Sequence, residues 1–493
     1  MSSFAQLLPE AYLFATVLGL ILGESANFGE KLRLVLPTSL LGIAGAAIQT
    51  VLAYQGGPAE FFGGTIVLDG FALFFKLAFL VLAAIVVCSA CLGEEIAEGL
   101  RAEFCAILLL GTIALMVAAS ATSLFVILIA LQLAGGCGYF LAGFNRDASG
   151  ASKAALKWFF CSLFSGAFLL FGFLALFVLA GTANVQEIHH QLASHGVSST
   201  VALFSFAVVF LGLSLPLFVF PSQFWVPEVL EEANSPAGAY LVLGLRAGAF
   251  AVATRIWVAV FSVPGASGGV WAPLSGWDWT AWIALSAGLT MILPALLAIR
   301  QTHAKRLLAC MAVAQSGFLL LGLLVLEEVG FAAVLFNLLV DLLAFGGLLF
   351  VLSLCMGRGR SAELKDLRGA LRGRPWEAVL FVVFFVAWLG IPPFAGAIGR
   401  FALIGAAVRR EWFTLAFLSL LAMALSVGAA GRLMLSLLHL GGELPSSHSE
   451  GGIELSSERR GFLLALLIPL VGATVFANSL LQWAGQSLKF IFR

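Results

Sequence analysis

The chain has 493 residues, of which 61% are hydrophobic and only 11% are charged, and its mean hydropathy is +1.05. Soluble proteins carry about 25% charged residues, so this composition excludes a soluble enzyme and predicts an all-α polytopic membrane protein. The 26 basic and 26 acidic residues give a formal net charge of +0, which gives no indication of a nucleic-acid partner.

Apolar runs bounded by charged residues and by Gly and Pro clusters predict 14 membrane-spanning helices. The first seven are predicted near 11–23, 34–54, 70–92, 103–120, 123–144, 156–181 and 201–220. The other seven are predicted near 237–262, 280–299, 306–326, 329–356, 376–407, 412–440 and 461–485.

The basic residues are distributed unequally between the loops on the two sides of these helices. One side holds 17 of the 26 Lys and Arg residues, whereas the other holds only Arg409, Arg410, Lys489 and Arg493. Cytoplasmic loops collect Lys and Arg. This asymmetry predicts that both termini lie on the periplasmic side of a bacterial inner membrane.

Two predicted spans, the seventh and the twelfth, are interrupted by proline and glycine. The interruptions fall in Ser214–Pro221 and Leu389–Gly396. A pair of broken helices in corresponding positions is typical of inverted-repeat transporters. Their spacing of five helices predicts two inverted five-helix repeats.

The predicted organisation therefore has four parts. Residues 1–102 form three N-terminal helices, 103–262 the first repeat and 263–440 the second. Residues 441–493 supply a cytoplasmic loop and the last helix.

Ionisable residues inside spans are costly, at about 2.5–3.5 kcal/mol each on insertion scales, and are therefore functional candidates. The candidates are Lys76, Arg246, Arg255, Asp341, Arg400 and Arg432. The alternative interpretation is structural: the charges pair with one another or with backbone carbonyls and lock helices together. That interpretation is favoured for Arg255 and Arg432, which lie near span ends, and the functional one for Arg246, Asp341 and Arg400.

Other motifs are weaker. Cys88 and Cys91 form a C-x-x-C pair at a predicted helix end, without a second pair or a nearby His, which favours two packed small residues over a metal site. Likewise, Glu187, His189 and His190 favour a solvated loop over a metal site. The segment 357–375 carries six basic residues and is interpreted as a cytoplasmic connector that contacts anionic lipid or a partner subunit.

Six stretches of the chain together resemble a known family. They are Leu8–Glu10, Leu68–Phe71, Phe75–Lys76, Trp225–Val229, Lys305–Ala309 and Gly390–Gly396. They resemble the antiporter-like membrane subunits of respiratory complex I, the N subunit in particular, over nearly the whole chain. The L and M subunits and the Mrp-type cation antiporters share the central motifs.

The resemblance implies a hydrophilic axis across the membrane, and this chain departs from the family pattern at five positions along it. Gln132 stands where the family has a Glu on the fifth helix, and Pro216 where it has a Lys on the seventh. Arg246 and Arg400 replace Lys residues on the eighth and twelfth helices. Gln315 replaces a His that many members carry on the tenth helix.

All five replacements remove a group that can exchange protons, because none of the new side chains does so near neutral pH. Asp341 is a gain, since it replaces what resembles an aromatic position, and it could pair with Arg246 or with Arg400. The first hypothesis is that the chain keeps the family architecture while its own proton translocation is weakened or lost. The alternative is that Asp341 and Lys76 carry the proton past fixed Arg gates.

The function implied by the resemblance is that of a membrane-arm subunit of an NADH:quinone oxidoreductase. Such a subunit works beside other antiporter-like and small membrane subunits and in contact with lipid. It carries no flavin, iron-sulfur cluster, quinone chemistry or metal of its own. The first alternative is a non-pumping scaffold of a related cation-antiporter, membrane-hydrogenase or inorganic-carbon uptake complex, and an independent secondary carrier is the third interpretation.

Overall fold

The structure is a computed structural model that describes residues 7–25, 34–55, 57–145, 150–194, 199–264, 271–273, 279–356, 362–372, 374–438 and 456–488. The basic residues at 31, 33, 146, 358, 360, 489 and 493 lie outside the described residues, as does all of 441–455, where the cytoplasmic loop is predicted.

Up to residue 264, the described residues form eleven α-helices and one complete β-hairpin. The helices are α1 (Leu8–Ser25), α2 (Val35–Tyr54), α3 (Gly70–Leu92), α4 (Arg101–Ser120), α5 (Leu124–Ala142), α6 (Ala151–Ala180), α7 (Val185–Ser194), α8 (Ser199–Leu217), α9 (Val226–Glu232), α10 (Ser235–Ala239) and α11 (Arg246–Ala259). Strands β1 (Ala59–Phe61) and β2 (Ile66–Leu68) pair antiparallel between α2 and α3.

The described part of the remaining chain adds eight α-helices and completes a second hairpin. They are α12 (Thr280–Arg300), α13 (Ala304–Leu324), α14 (Glu328–Met356), α15 (Pro375–Leu389), α16 (Ala395–Arg409), α17 (Phe413–Leu438), α18 (Ser457–Val475) and α19 (Ala477–Leu488). Strands β3 (Ser262–Pro264) and β4 (Trp271–Pro273) pair antiparallel before α12.

Every predicted span coincides with helix. Within the described residues, ten helices are long and apolar enough to cross a membrane, and α8 and α15 are shorter apolar helices. The mostly helical, multi-span fold is therefore confirmed, whereas the total of 14 spans stays a prediction. The last span was wrongly predicted as one helix over 461–485, because α18 and α19 meet at an angle of 85°.

The two predicted interruptions coincide with non-helical chain. α8 continues through Pro216 and ends at Leu217, and helix resumes in a 3₁₀ turn at Gln223–Trp225 that leads into α9. The seventh span thus keeps its proline in the last helical turn. α15 ends at Leu389 and α16 begins at Ala395, with Gly390 in the left-handed region at φ 73°.

Three spans form the centre of the bundle. The apolar windows of the helical run Ser235–Ala259 and of α13 are completely buried, and the window of α14 is 94% buried. By contrast, α6 is buried over only 33% and exposes Phe160, Phe164 and Phe171. Since hydrophobic residues all round a helix are typical of a helix inside a bundle, polar groups on the three central spans are the ones most removed from lipid.

A buried ion pair joins the start of α3 to α11. Asp69 caps α3 by accepting from the Ala72 N–H at 2.7 Å, and its Oδ1 lies 2.8 Å from Nη2 of Arg255. Arg255 also donates to the Ala119 carbonyl at 2.8 Å, and its guanidinium lies 5.0 Å from the Phe71 ring centroid. The structural interpretation predicted for Arg255 therefore agrees with its contacts.

Replacing Asp69 with Ala is expected to destabilise the protein by about 3–5 kcal/mol, because it leaves the Arg255 charge buried without its partner. Asp69→Asn, which keeps a cap acceptor, should destabilise less. The measurement is the thermal unfolding midpoint of the detergent-solubilised protein. Glu363→Ala is the control, because the Glu363–Lys365 pair is exposed and surface pairs contribute little. Equal midpoints for Asp69→Ala and the control would refute the assignment.

Candidate functional site: a polar axis through the buried spans

The first cluster of predicted site residues surrounds Gln132 on α5. Gln132 lies against α6. With its amide oriented to satisfy both neighbours, the amide nitrogen donates to the Ser162 carbonyl at 3.2 Å and the amide oxygen accepts from the Gly166 N–H at 2.9 Å. Gly166 makes this approach possible, because a Cβ there would collide with the Gln132 amide. The contact fixes Gln132 as a neutral hydrogen-bonding group between two helices.

Gln132 and Pro216 line one small cavity. The cavity is also lined by Ser162, Ser165 and Leu245. Its volume of about 20 Å³ holds about one water molecule. The Ser165 hydroxyl donates to the Gly212 carbonyl at 2.7 Å, so the wall of the cavity carries hydroxyl and amide groups rather than charges.

The second cluster is a buried ion pair. Nη2 of Arg246 on α11 lies 2.7 Å from Oδ2 of Asp341 on α14, and Nη1 donates to the Ala312 carbonyl of α13 at 2.9 Å. Both residues are at least 95% buried. The sequence left the partner of Asp341 open between two arginines, and the structure places it on Arg246.

The helix that carries Arg246 is irregular just before this residue. Residues Tyr240–Leu245 form a π-helical segment, and Tyr240 donates from its hydroxyl to the Ala134 carbonyl of α5 at 3.1 Å. Such segments occur frequently at functional sites. The sequence does not predict this π-helical segment, because its apolar residues are typical of an ordinary membrane-spanning α-helix.

The third cluster forms at the broken end of α15. The Trp388 carbonyl accepts from Nη2 of Arg400 at 2.5 Å and from Nε2 of Gln315 at 3.0 Å. The last carbonyls of a helix lack helical partners and carry partial negative charge, so they attract a cation. Arg400 also lies 5.1 Å from the Phe318 ring centroid, and within the described chain it forms no ion pair shorter than 4 Å.

The glycine after this helix end is required by the contact. Gly390 adopts a left-handed conformation, and a Cβ there would meet the side chain of Arg400. The glycine was recognised in the sequence as a helix interruption. The interruption supplies a backbone carbonyl as the acceptor. Every residue has such a carbonyl, so the sequence does not predict which one Arg400 contacts.

The three clusters follow one another across the bundle. Leu245 lines the first cavity and precedes Arg246, which pairs with Asp341. Ala312 and Gln315 lie one turn apart on α13 and contact the second and third clusters respectively. We call the series Gln132, Arg246, Asp341, Gln315 and Arg400 the polar axis.

Among the described residues, no hydrogen bond or ion pair links Lys76 to the polar axis. Its Nζ lies 2.7 Å from Oε1 of Glu10 on α1, and both side chains are buried. The sequence grouped Lys76 with the ion pathway, whereas this ion pair ties α3 to α1. The sequence pattern marks Glu10 only as part of the Leu8–Glu10 motif and does not predict that it pairs with Lys76.

The chemistry available on the polar axis is limited by its residue types. Arg stays protonated and Gln has no titratable proton, so Asp341 is the only member able to exchange a proton. The described residues contain no group of three or more His, Cys, Asp or Glu side chains placed to hold a metal ion.

The fold and this buried axis define an antiporter-like membrane subunit. Residues 121–426 match the family model described as NADH:quinone oxidoreductase/Mrp antiporter, TM. The chain belongs to this family.

Two of the curated relatives of this chain are named as subunit N of NADH-quinone oxidoreductase. The chain is 31% identical to the NADH-quinone oxidoreductase subunit N 2 of Symbiobacterium thermophilum, with 99% of this chain and 97% of the relative covered. It is also 31% identical to the NADH-quinone oxidoreductase subunit N of Chlorobium chlorochromatii, with 82% and 78% covered.

Solved structures share the fold over almost their full length. A chain of respiratory complex I from Thermus thermophilus matches with a TM-score of 0.77 and 24% identity over 97% of this chain and 99% of that one. A chain of the Mrp complex from Dietzia sp. matches with a TM-score of 0.84 and 18% identity over 100% and 98%.

We expect strong energetic coupling between Arg246 and Asp341. Arg246→Leu or Asp341→Leu alone should destabilise by about 3–5 kcal/mol, because each leaves an unpaired buried charge, and the double variant should lose much less than the sum. Thermal unfolding midpoints of the solubilised single and double variants measure this. The Arg400→Leu and Asp341→Leu pair is the matched control, and stronger coupling there than in the first pair would contradict the assigned partner.

Proposed function

We propose that this chain is the N-type membrane-arm subunit of an NADH:quinone oxidoreductase in a bacterial inner membrane. Relatives named subunit N match at 31% identity along nearly the whole chain, and the complex I chain shares its fold. The redox chemistry of such an enzyme takes place on other subunits. This chain would contact neighbouring antiporter-like and small membrane subunits and lipid.

We further propose that the proton pathway of this subunit is weakened or lost. The observation that carries the proposal is the make-up of the polar axis, in which the one titratable side chain, Asp341, is held in an ion pair with Arg246. A proton relay needs successive groups that take up and release protons, and Gln132, Gln315 and the two arginines do not. Pro216 supplies neither a charge nor a hydrogen-bond donor to the first cavity.

On this proposal, the axis acts electrostatically. Fixed arginine charges in a low-dielectric interior interact over longer distances than they would in water. A movement of the Arg246–Asp341 pair would therefore alter the electric field at adjacent subunits without moving a proton through this chain.

The same proposal includes two inverted five-helix repeats and a periplasmic location of both termini. The broken seventh and twelfth spans support the repeats, and the unequal distribution of basic residues between the loops supports the location of the termini.

A second candidate is a scaffold subunit in a related complex. It is favoured by one observation: the Mrp chain and a chain of the archaeal membrane-bound sulfane sulfur reductase both match with TM-scores of 0.84, above the 0.77 of the complex I chain. A non-pumping scaffold would equally tolerate the loss of titratable groups from the axis.

Affinity purification of the tagged chain from its native host in mild detergent separates the two candidates. We expect flavin- and iron-sulfur-containing subunits to co-purify, together with inhibitor-sensitive NADH:quinone activity. Recovery of antiporter or carbon-uptake subunits without NADH oxidation would establish the scaffold and overturn the first proposal.

Restoring the family residues should increase proton pumping if the pathway is disabled. The variant carries Gln132→Glu, Pro216→Lys, Arg246→Lys and Arg400→Lys. We expect more protons moved per NADH oxidised in inverted membrane vesicles, since each change adds a titratable group. Pro216→Ala is the control, because it relaxes the helix without adding charge. An unchanged ratio in an assembled, active complex would count against a disabled pathway.

The competing mechanism, in which Asp341 carries the proton, makes a different prediction. Asp341→Asn removes the proton-accepting group while preserving a hydrogen-bonding side chain. We expect the proton-to-NADH ratio to stay at the parent value, with lower thermal stability because Arg246 loses its counter-charge. A clear fall in the ratio at constant electron-transfer rate would show that Asp341 is a relay group.

A further inference from the structure

A groove lies between α19, the start of α14 and α16. α18 occupies the first part of the predicted last span, and α19 bends 85° away from it, so α19 runs close to the membrane plane. Ala477 and Ala484 of α19 are buried, whereas Gln482 and Gln486 are exposed. A helix that lies in this plane with one apolar and one polar face is typical of the boundary between membrane and water. The groove therefore opens at this boundary.

The groove is partly apolar and reaches below the membrane surface. Its volume is about 360 Å³, within the range of about 300–1,000 Å³ that is common for small-molecule sites. The apolar part of its wall is formed by Val329, Ala332, Ala402 and Leu481. α16 ends at Arg409, seven residues after Ala402, which at 1.5 Å per residue is a distance of about 10 Å. Since a headgroup layer is about 5–8 Å thick, the groove extends through it to the depth of acyl chains.

Three polar side chains complete the lining of the groove. They are Glu328 at the start of α14, and Gln482 and Gln486 on α19. The two glutamines are four residues apart and therefore share one face of the helix. Within the described residues, none of these three side chains forms a hydrogen bond or an ion pair. One carboxylate and two amides are thus available to a ligand.

The only charged side chain that lines the described groove is Glu328. The arginines at the end of α16 bind its neighbour instead: Nε of Arg410 lies 2.9 Å from Oε1 of Glu327, and Nε of Arg409 lies 3.7 Å from Oε2. The partial positive charge at the start of α14 offsets only about half of a carboxylate charge. A Cβ on Gly485 would lie 3.3 Å from Oε1 of Glu328, so α19 passes close to this carboxylate without a side chain that covers it. The groove therefore fits a cationic group.

We propose that this groove binds a phospholipid with a primary ammonium headgroup, of which phosphatidylethanolamine is the one tested below. The ammonium group donates hydrogen bonds to the Glu328 carboxylate, and the phosphate oxygens accept from the amides of Gln482 and Gln486. An acyl chain packs against Ala332 and Ala402. Each part of the lipid thus meets the part of the groove that matches its chemistry. The site is separate from the polar axis and does not rest on the proposed function.

The test uses the intact complex, purified through a tag on this chain and reconstituted in nanodiscs of phosphatidylcholine. Two probes carry the same photoreactive acyl chain, one on phosphatidylethanolamine and one on phosphatidylglycerol, which has no ammonium group. After irradiation, labelled peptides are identified by mass spectrometry. We expect label on the α14 or α19 residues of the groove, several-fold more from the first probe than from the second. Equal or greater labelling by the phosphatidylglycerol probe would overturn the proposal, as would absence of label from both helices.

A charge-neutral variant tests the headgroup contact. Glu328→Gln keeps the size of the side chain but removes its charge, so we expect the two probes to label the groove equally. Glu411→Gln is the matched control, because Glu411 is an exposed carboxylate just beyond α16 that does not line the groove. It should keep the labelling ratio of the parent protein. An unchanged ratio in Glu328→Gln would refute the assigned acceptor, and equal loss in both variants would show that general surface charge attracts the lipid.

A second variant and a cross-link test the occupant. Ala402→Phe fills the groove and leaves Glu328 in place, so labelling by both probes should fall several-fold, and undiminished labelling would contradict the assigned acyl-chain site. A photoreactive amino acid introduced at Leu481 should cross-link to lipid. Its cross-linking to a neighbouring subunit instead would show that protein occupies the groove and would overturn the proposal. Because the two probes are compared in the parent protein, misfolding of a variant leaves the central proposal testable.

Discussion

The cost of placing a charge in an apolar interior constrains the whole structure. Three buried arginines each have a specific acceptor: Arg246 has Asp341, Arg255 has Asp69, and Arg400 has the free carbonyl of Trp388. Removing one partner of such a pair costs several kcal/mol, whereas the pair itself adds little net stability. The pairs therefore specify which helices meet, more than they strengthen the bundle.

The broken helix at α15 shows how a backbone interruption substitutes for a counter-ion. An uninterrupted helix would use the Trp388 carbonyl internally, leaving Arg400 without an acceptor. Ending the helix at Leu389 frees that carbonyl, and the left-handed Gly390 gives Arg400 room to approach it. Gln315 on α13 donates to the same oxygen, so the interruption also couples α15 to the central helix.

The sequence predicted the helical spans and both interruptions because these depend on long apolar runs and on proline and glycine, which act locally. It also grouped Gln132 with Pro216, and the two residues line one cavity, while their assignment to a half-channel stays a prediction. It did not decide the partner of Asp341, since that depends on the packing of α11 against α14. The pairing of Lys76 with Glu10 was missed for the same reason, and the 85° bend before α19 has no proline or glycine at its corner.

The polar axis keeps the position of a conducting pathway, but most of its side chains cannot exchange protons. Polar side chains still extend from α5 to α16 through the most buried spans, and a water-sized cavity remains beside Gln132. Yet the charges that persist are guanidinium groups, which keep their protons. An axis of this kind can respond to an electric field by moving charge a short distance, but it lacks the sequence of acceptors that would pass a proton on. Under the function proposed here, the retained architecture transmits electrostatic changes between neighbouring subunits and does not translocate protons by itself.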